Sequence, residues 1–256
     1  MFYPNIDEFR ASAGHVIDGQ WYPRVTKIVD IKSKPALYRF YSAVGWENGE
    51  KIKEQSASEG TLVHEAVEKL LVGEEPDIPD SIRPSVDAFR RFLSEHRLEA
   101  YPELIEKRIV HPDFRYSGTV DAIVNLDGRL GVLDIKTSKA IYRDYDLQTA
   151  AYFDALKEAH PALSTRWILR LDQMATCLNC GSTLRLKGGR EKISPPPRSI
   201  NNGLCKKEEH VWSDPQGVAE LKEASSSAAS DFDAFLAAKR LWEWEHDFLL
   251  RRLGYL

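Results

Sequence analysis

The 256-residue chain carries 35 Lys and Arg against 39 Asp and Glu, a net charge of −4, and is 43% hydrophobic. This is the make-up of a globular domain, and no apolar run approaches the ~20 residues of a membrane span. Three cysteines, an odd number clustered late in the chain, argue against a secreted disulfide framework and for metal ligation or inert thiols. The acidic balance gives no global sign of nucleic-acid binding. Local basic strips can still track phosphates, however, and a divalent-cation site needs carboxylates.

The opening MFYPNIDEFR lacks the basic-then-apolar layout of a signal peptide, so cytoplasmic residence is expected. PRVTKIVD reads as a short strand or turn, with Thr26 capping the element after it. PALYRFYSAVGWENGEKIKEQSASE reads as helical. Thr61 would cap the next helix, GTLVHEAVEKLLVG, whose apolar stripe runs from Leu62 to Leu71 and which Gly73 ends. SIRPSVDAFRRFLSEH is a further amphipathic helix, and ELIEKRIVH, YSGTVDAIVNL and RLGVLDIKT are strands. Asp127-Gly128 joins the last two as a hairpin. A helix, DLQTAAYFDALKEAH, and a strand, STRWILRLD, come next. Residues 174–214 hold all three cysteines, Gly188-Gly189 and Pro195-Pro196-Pro197 with little periodicity, and read as an inserted module. The stretch SSSAAS looks like low complexity, and the remainder reads as one or two helices.

In GVLDIKTSK, Val132, Leu133 and Ile135 are core material, yet Asp134 and Lys136 flank Ile135 on the other face of the strand. Folding at Asp127-Gly128 brings Asp121 of GTVDAIV opposite Asp134. Two carboxylates in apolar surroundings repel unless a cation joins them. Mg²⁺ or Mn²⁺ resolves that conflict, and a lysine beside it can steer water or stabilise charge growing on a phosphate. An isolated Asp-x-Lys is otherwise a solvated surface pair.

GTVDAIV, the Asp-x-Lys of LDIKTSK, Gln148 and Tyr152 in LQTAAY, and GTLVHEAVE with His64 and Glu68 together resemble the motifs of PD-(D/E)XK nucleases of the RecB-like branch. The similarity spans about residues 24–173 and resumes in the terminal helix. Within that branch it resembles the phage exonuclease type, related to CRISPR adaptation nucleases and a mitochondrial genome-maintenance exonuclease. The resemblance implies that His64, Asp121, Asp134 and the Ile135 carbonyl bind the metal and that Lys136 is catalytic. Gln148 and Tyr152 would support the site and the DNA backbone, with core packing an equal reading for Tyr152. Glu106 would be an outer carboxylate or a solvated strand residue. Glu68 would hold the His64 imidazole, face the DNA channel or lie on the surface. Thr26 and Lys27 resemble an opening stretch of phage members whose role is undefined.

In the late segment, CLNC presents Cys177 and Cys180 at the spacing that lets both sulfurs reach one tetrahedral ion, and Cys205 and His210 complete a Cys₃His set for structural zinc. An iron–sulfur cluster, found in some of these nucleases, would need a cysteine before the core, and none precedes Cys177. A flexible loop with free thiols is the remaining alternative. Arg185, Lys187, Arg190, Lys192, Arg198, Lys206 and Lys207 either contact phosphates or form a solvated loop.

The expected fold is α/β, a restriction-endonuclease-like mixed sheet flanked by helices. Residues 1–173 would form the core with a helical N-terminal region, 174–214 the zinc insertion, and 215–256 the helix or helices completing the core. The N-terminal region would wall or arch over the site, with Trp21, Tyr22 and Trp46 stacking on bases or packing in the core. The expected function is metal-dependent hydrolysis of DNA, single-stranded or with a free end, in phage recombination, replication or repair, alongside a recombination or replication partner. A flap or junction endonuclease of the same fold and a non-catalytic DNA-binding adaptor using the zinc module are the alternatives.

Overall fold

The hairpin at Asp127-Gly128 forms as its dipeptide dictates: both residues have positive φ, 52° and 86°, the left-handed pair that a two-residue turn between twisted strands requires. The turn joins β4 (Tyr116–Leu126) to β5 (Arg129–Lys136). The computed structural model describes residues 3–196, 205–224 and 227–256. Pro197, Arg198, Ser225 and Ser226 lie outside the described residues.

Around the hairpin stands a mixed sheet. β3 (Leu98–His111) pairs antiparallel with β4, and β5 pairs parallel with β6 (Leu163–Thr176). The parallel crossover runs through α6 (Asp144–Leu156), since parallel neighbours cannot be joined by a tight turn. β9 (Gln216–Glu223) pairs antiparallel with β6 along Trp167–Met174. Where β9 stops, the C-terminal end of β6 is taken over by β7 (Thr183–Lys187), which forms a hairpin with β8 (Arg190–Ser194).

Helices cover both faces of the sheet. α4 (Trp46–Leu71) and α5 (Arg83–Glu95) bury Val63, Val67, Phe89 and Phe92 against Ala122, Leu133, Ile135 and Leu169. On the other face, α1 (Ile6–Ala13), α2 (Val25–Val29), α6, α7 (Ala228–Glu245) and α8 (Asp247–Arg252) enclose a core with Val120, Ile123 and Val132. Asp134 and Lys136 therefore leave β5 toward the α6 side, and Leu133 and Ile135 toward the α4 side. The N-terminal region also contains α3 (Pro35–Val44) and a small hairpin of β1 (Gly14–Ile17) and β2 (Gln20–Pro23). A three-residue 3₁₀ turn covers Lys207–Glu209.

Several expectations change. PRVTKIVD contains the helix α2, with Arg24 at its N-cap, so Thr26 lies inside the first turn and caps nothing. Thr61 is likewise no cap: α4 runs unbroken through Gly60, and the Thr61 hydroxyl back-bonds to the Ala57 carbonyl at 3.2 Å. The helix starts earlier than expected, just after Gly45 (φ 80°), and that glycine separates it from α3. The C-terminal part is not wholly helical, because QGVAELKE is the strand β9. Its residue types favour a helix, but the free edge of β6 overrides that local preference. Trp21 is core, its indole N–H donating to the Arg10 carbonyl at 2.9 Å, whereas Trp46 is exposed and stacks on Tyr41. Among the described residues no helix is long and apolar enough to cross a membrane.

Candidate active site

Three carboxylates lie in one row across the sheet. The β3–β4 register pairs Ile105 with Ala122 and Lys107 with Val120, which sets Glu106 opposite Asp121. The β4–β5 register ends at Ala122↔Leu133, and one step further Asp121 faces Asp134. Glu106 holds its place with φ of 47°, in the left-handed region that a glutamate rarely occupies. α4 crosses this end of the sheet and adds His64 and Glu68, so that donor atoms of His64, Glu68 and Glu106 all lie within 4.8 Å of one another.

Each carboxylate is fixed differently. Asp121 Oδ2 accepts the Ile135 backbone N–H at 2.6 Å and stands 3.9 Å from His64 Nδ1. Asp134 is fully buried, accepting the Gln148 side-chain amide on Oδ1 at 3.0 Å and meeting Lys136 Nζ with Oδ2 at 2.6 Å. Gln148 also contacts the Tyr152 hydroxyl at 3.1 Å, so one face of α6 braces Asp134 from below. Lys136 reaches outward over the Tyr145 ring, 5.1 Å from its centre.

The electrostatics arise from crowding anions around one ammonium. Burial, offset in part by Lys136 but reinforced by Asp121, pushes Asp134 up to about 6. Burial also raises Asp121 against the pull of Lys136. Glu106 keeps an open side to solvent, yet partial burial, Asp121 and Glu68 push it up to about 7. Partial burial, Asp121 and Glu65 raise Glu68, against a hydrogen bond with Glu106. Burial alone would lower Lys136, but Asp134 and Asp121 outweigh it, so the ammonium stays charged. Burial and the nearby Lys136 drop His64 to about 4, leaving a neutral imidazole that also hydrogen-bonds the Ile135 backbone. Excess anionic oxygen beside a neutral imidazole is a donor set that fits a hard divalent cation.

Two motif glycines have steric reasons. A Cβ at Gly60 would sit 2.9 Å from Thr137 Oγ1, so the glycine lets α4 pass close to the end of β5. A Cβ at Gly118 would sit 2.5 Å from the Tyr152 ring, so its absence lets Tyr152 lie against β4.

An open cleft of about 370 Å³ leads to Lys136. Its walls include Ser56, His64, Tyr145, Arg185 and Lys187. The sequence offers no cue for Tyr145 beyond its place three residues before Gln148, one turn along the same helix face. Arg185 and Lys187, two of the basic residues of the late segment, come to the cleft because β7 lies beside the end of β6. Thr26 is exposed on α2, and among the described residues no hydrogen bond or ion pair ties Thr26 or Lys27 to the carboxylate row.

The second constellation closes the β6–β7 turn. Cys177, Cys180, Cys205 and His210 present ligand atoms that all lie within 4.8 Å of one another. Cys177 N–H donates to the Ser182 carbonyl at 2.7 Å and Gly181 N–H to the Cys177 carbonyl at 2.9 Å, shaping a tight knuckle. His210 stacks on Trp212, and its Nδ1 lies 3.6 Å from Cys180 Sγ. Desolvation opposes ionisation of Cys177, but backbone N–H groups of Cys180, Asn179 and Val211 bring it down to about 7. Desolvation and the other two thiols push Cys205 up to about 11.

A family model described as the PD-(D/E)XK nuclease superfamily matches residues 25–239. No curated protein matches the chain significantly.

Proposed function

Since the chain belongs to the PD-(D/E)XK nuclease superfamily, we propose that it is a metal-dependent deoxyribonuclease, an exonuclease that hydrolyses DNA from a free end. The carrying observation is the row Glu106–Asp121–Asp134 ending in the Asp134–Lys136 pair, with His64 and Glu68 above it. Mg²⁺ or Mn²⁺ held by Asp121, Asp134, His64 and the Ile135 carbonyl, with Glu106 and Glu68 outside them, would supply Lewis-acid stabilisation and a more acidic water.

Lys136 keeps its proton and leans into the cleft, positioned to orient the attacking water and to offset charge on the phosphate as the 3′-oxygen departs. Gln148 holds Asp134 by one oxygen and leaves the other to Lys136, so the lysine has a fixed anchor. Tyr152 sets the Gln148 amide and does not reach the cleft itself. His64, neutral at pH 7, offers a lone pair instead of a competing positive charge. The Cys₃His set is assigned to structural Zn²⁺, since three sulfurs and an imidazole are a tetrahedral zinc donor set. The setting proposed is phage recombination, replication or repair in the cytoplasm of a bacterial host, with DNA that is single-stranded or has a free end as substrate and a recombination or replication protein as partner.

The test is incubation of 5′- and 3′-end-labelled single-stranded DNA with Mg²⁺, with Mn²⁺ or with EDTA, alongside Lys136→Ala. Metal-dependent release of label that Lys136→Ala loses supports the reading, and the order of release gives the polarity. Cutting of circular DNA at the same rate would replace the exonuclease with an endonuclease. No cleavage of any linear, flapped or circular substrate rules out the catalytic reading.

A further inference from the structure

The β7–β8 hairpin reaches the cleft as a tied-down arm. Its base is the cysteine knuckle, three residues before β7 begins, with Thr176 paired to Thr183 across the turn. Its tip, Gly188-Gly189, lies on α4: both oxygens of Glu59 accept the Gly188 N–H, at 3.0 and 3.2 Å. The tip fits so closely that a Cβ at Gly188 would collide with Ser56 and the Ile52 carbonyl. The hairpin thus spans from the knuckle to α4 and passes the end of β5 on the way.

Its charges along that path are unevenly matched. Arg185 is held by both oxygens of Asp172 at 2.7 and 2.8 Å, and donates to the Thr137 carbonyl at 3.0 Å. Asp172 also pairs with Arg170, which Glu220 balances, so this network closes on itself. Lys187 differs. Its ammonium donates to the same Thr137 carbonyl at 2.5 Å, one residue from Lys136, and among the described residues no carboxylate lies within ion-pair distance. The two carboxylates that act on it from farther off are engaged elsewhere, Asp172 by Arg185 and Glu59 by the hairpin tip. A half-buried ammonium without a counter-ion, lining the cleft beside Lys136, is a seat for an anion.

We infer that the hairpin is the phosphate-gripping wall of the active cleft, with Lys187 holding a DNA phosphate beside the one that is cut and the zinc-bound knuckle fixing the hairpin's base. This rests on the nuclease reading. Lys187 is a binding residue by this account, and Cys177, Cys180, Cys205 and His210 are positioning residues acting through β7. Arg190 and Lys192 on β8 lie across the hairpin from Lys187 and Arg185, and with Lys139, which donates to Ser194 at 3.3 Å, they add positive charge to the same arm.

The experiment measures zinc per chain by elemental analysis, and binding of a fluorescent single-stranded oligonucleotide by anisotropy over a salt series, with Ca²⁺ replacing Mg²⁺ to suppress cleavage. Lys187→Ala, Lys187→Arg and Cys180→Ser are compared with the unaltered protein, and circular dichroism reports folding. The expectation is stoichiometric zinc in the unaltered protein and in Lys187→Ala. That variant would bind about tenfold more weakly, the scale of one charge-assisted hydrogen bond. Its slope of log affinity against log salt would fall by about 0.7. Lys187→Arg would restore the slope, and Cys180→Ser would lose zinc and bind at least as weakly as Lys187→Ala. An unchanged slope in Lys187→Ala overturns the wall. Full affinity in zinc-free Cys180→Ser, or an unaltered protein without zinc, overturns the clamp. An unaltered protein that binds no DNA overturns the nuclease reading along with both.

Discussion

At Asp134 the contest between burial and charge is decided by one neighbour. A fully buried carboxylate should be neutral, yet Lys136 at 2.6 Å holds its rise to about 6, so that it is mostly ionised at pH 7. The two residues therefore stand or fall together, and Lys136→Ala should cut the cleavage rate about a hundredfold or more while DNA still binds. Rate and affinity measured on the same preparation check this, and equal losses in both would contradict it. The outer carboxylate gives a pH signature. Without added divalent cation Glu106 titrates at about 7, above its ordinary 4.5, so the folded chain binds that proton more tightly than the unfolded chain. Its stabilising contribution is full below about 4.5 and is lost as pH rises through 7. His64 and His15, both lowered to about 4, act with the opposite sign between about 4 and 6.5. The comparison must therefore be with Glu106→Gln: the melting temperature of the unaltered protein should fall relative to that variant between pH 4.5 and 7. A constant difference over that range would contradict the assignment.

Among the elements, the β4–β5 hairpin was the most legible and the β7–β8 hairpin the least. Asp127-Gly128 fixes a two-residue turn by backbone conformation alone, and the resulting register sets Asp121 against Asp134. Nothing local does the same for QGVAELKE, which becomes a strand only because β6 offers an edge. The same gap hid the setting of Lys187, since its nearness to Lys136 depends on a pairing between β6 and β7 made at just two register positions. Thr61 misled because a capping residue and a mid-helix threonine look alike when the helix around them is longer than its apolar stripe. Gly118, by contrast, is a motif residue whose reason appears only in three dimensions: α6 presses the Tyr152 ring onto β4 there. Gly118→Ala should cost about 1–3 kcal/mol by overpacking. It should also lower the cleavage rate, because displacing Tyr152 loosens Gln148 under Asp134. Thermal unfolding and single-turnover rates measure the two effects, and a stable, fully active variant would show that the ring can move freely.

For the molecule as a whole, the sheet's α6–α7 side is tied together by a buried ion pair. Arg166 on β6 donates to Asp231 on α7 at 2.9 Å and to the Asp146 carbonyl on α6 at 2.9 Å, with Arg166 and Asp231 both almost fully buried. Removing Asp231 takes a carboxylate from a buried guanidinium, so Asp231→Ala should destabilise the fold by about 3–5 kcal/mol. Denaturant unfolding tests that, and a loss under about 1 kcal/mol would mean that water reaches Arg166. Stability and chemistry thus share α6 but rest on different side chains: the ion pair would hold the scaffold and the carboxylate row would carry the reaction at the sheet's end. The most direct test of that division is single-turnover cleavage of end-labelled linear DNA by the unaltered protein and by Asp134→Asn over a series of Mg²⁺ concentrations. Cleavage that rises and saturates with Mg²⁺ in the former, and stays at background throughout in a folded Asp134→Asn, is the result expected. Cleavage by Asp134→Asn at the unaltered rate, or by the unaltered protein without divalent cations, would contradict the account.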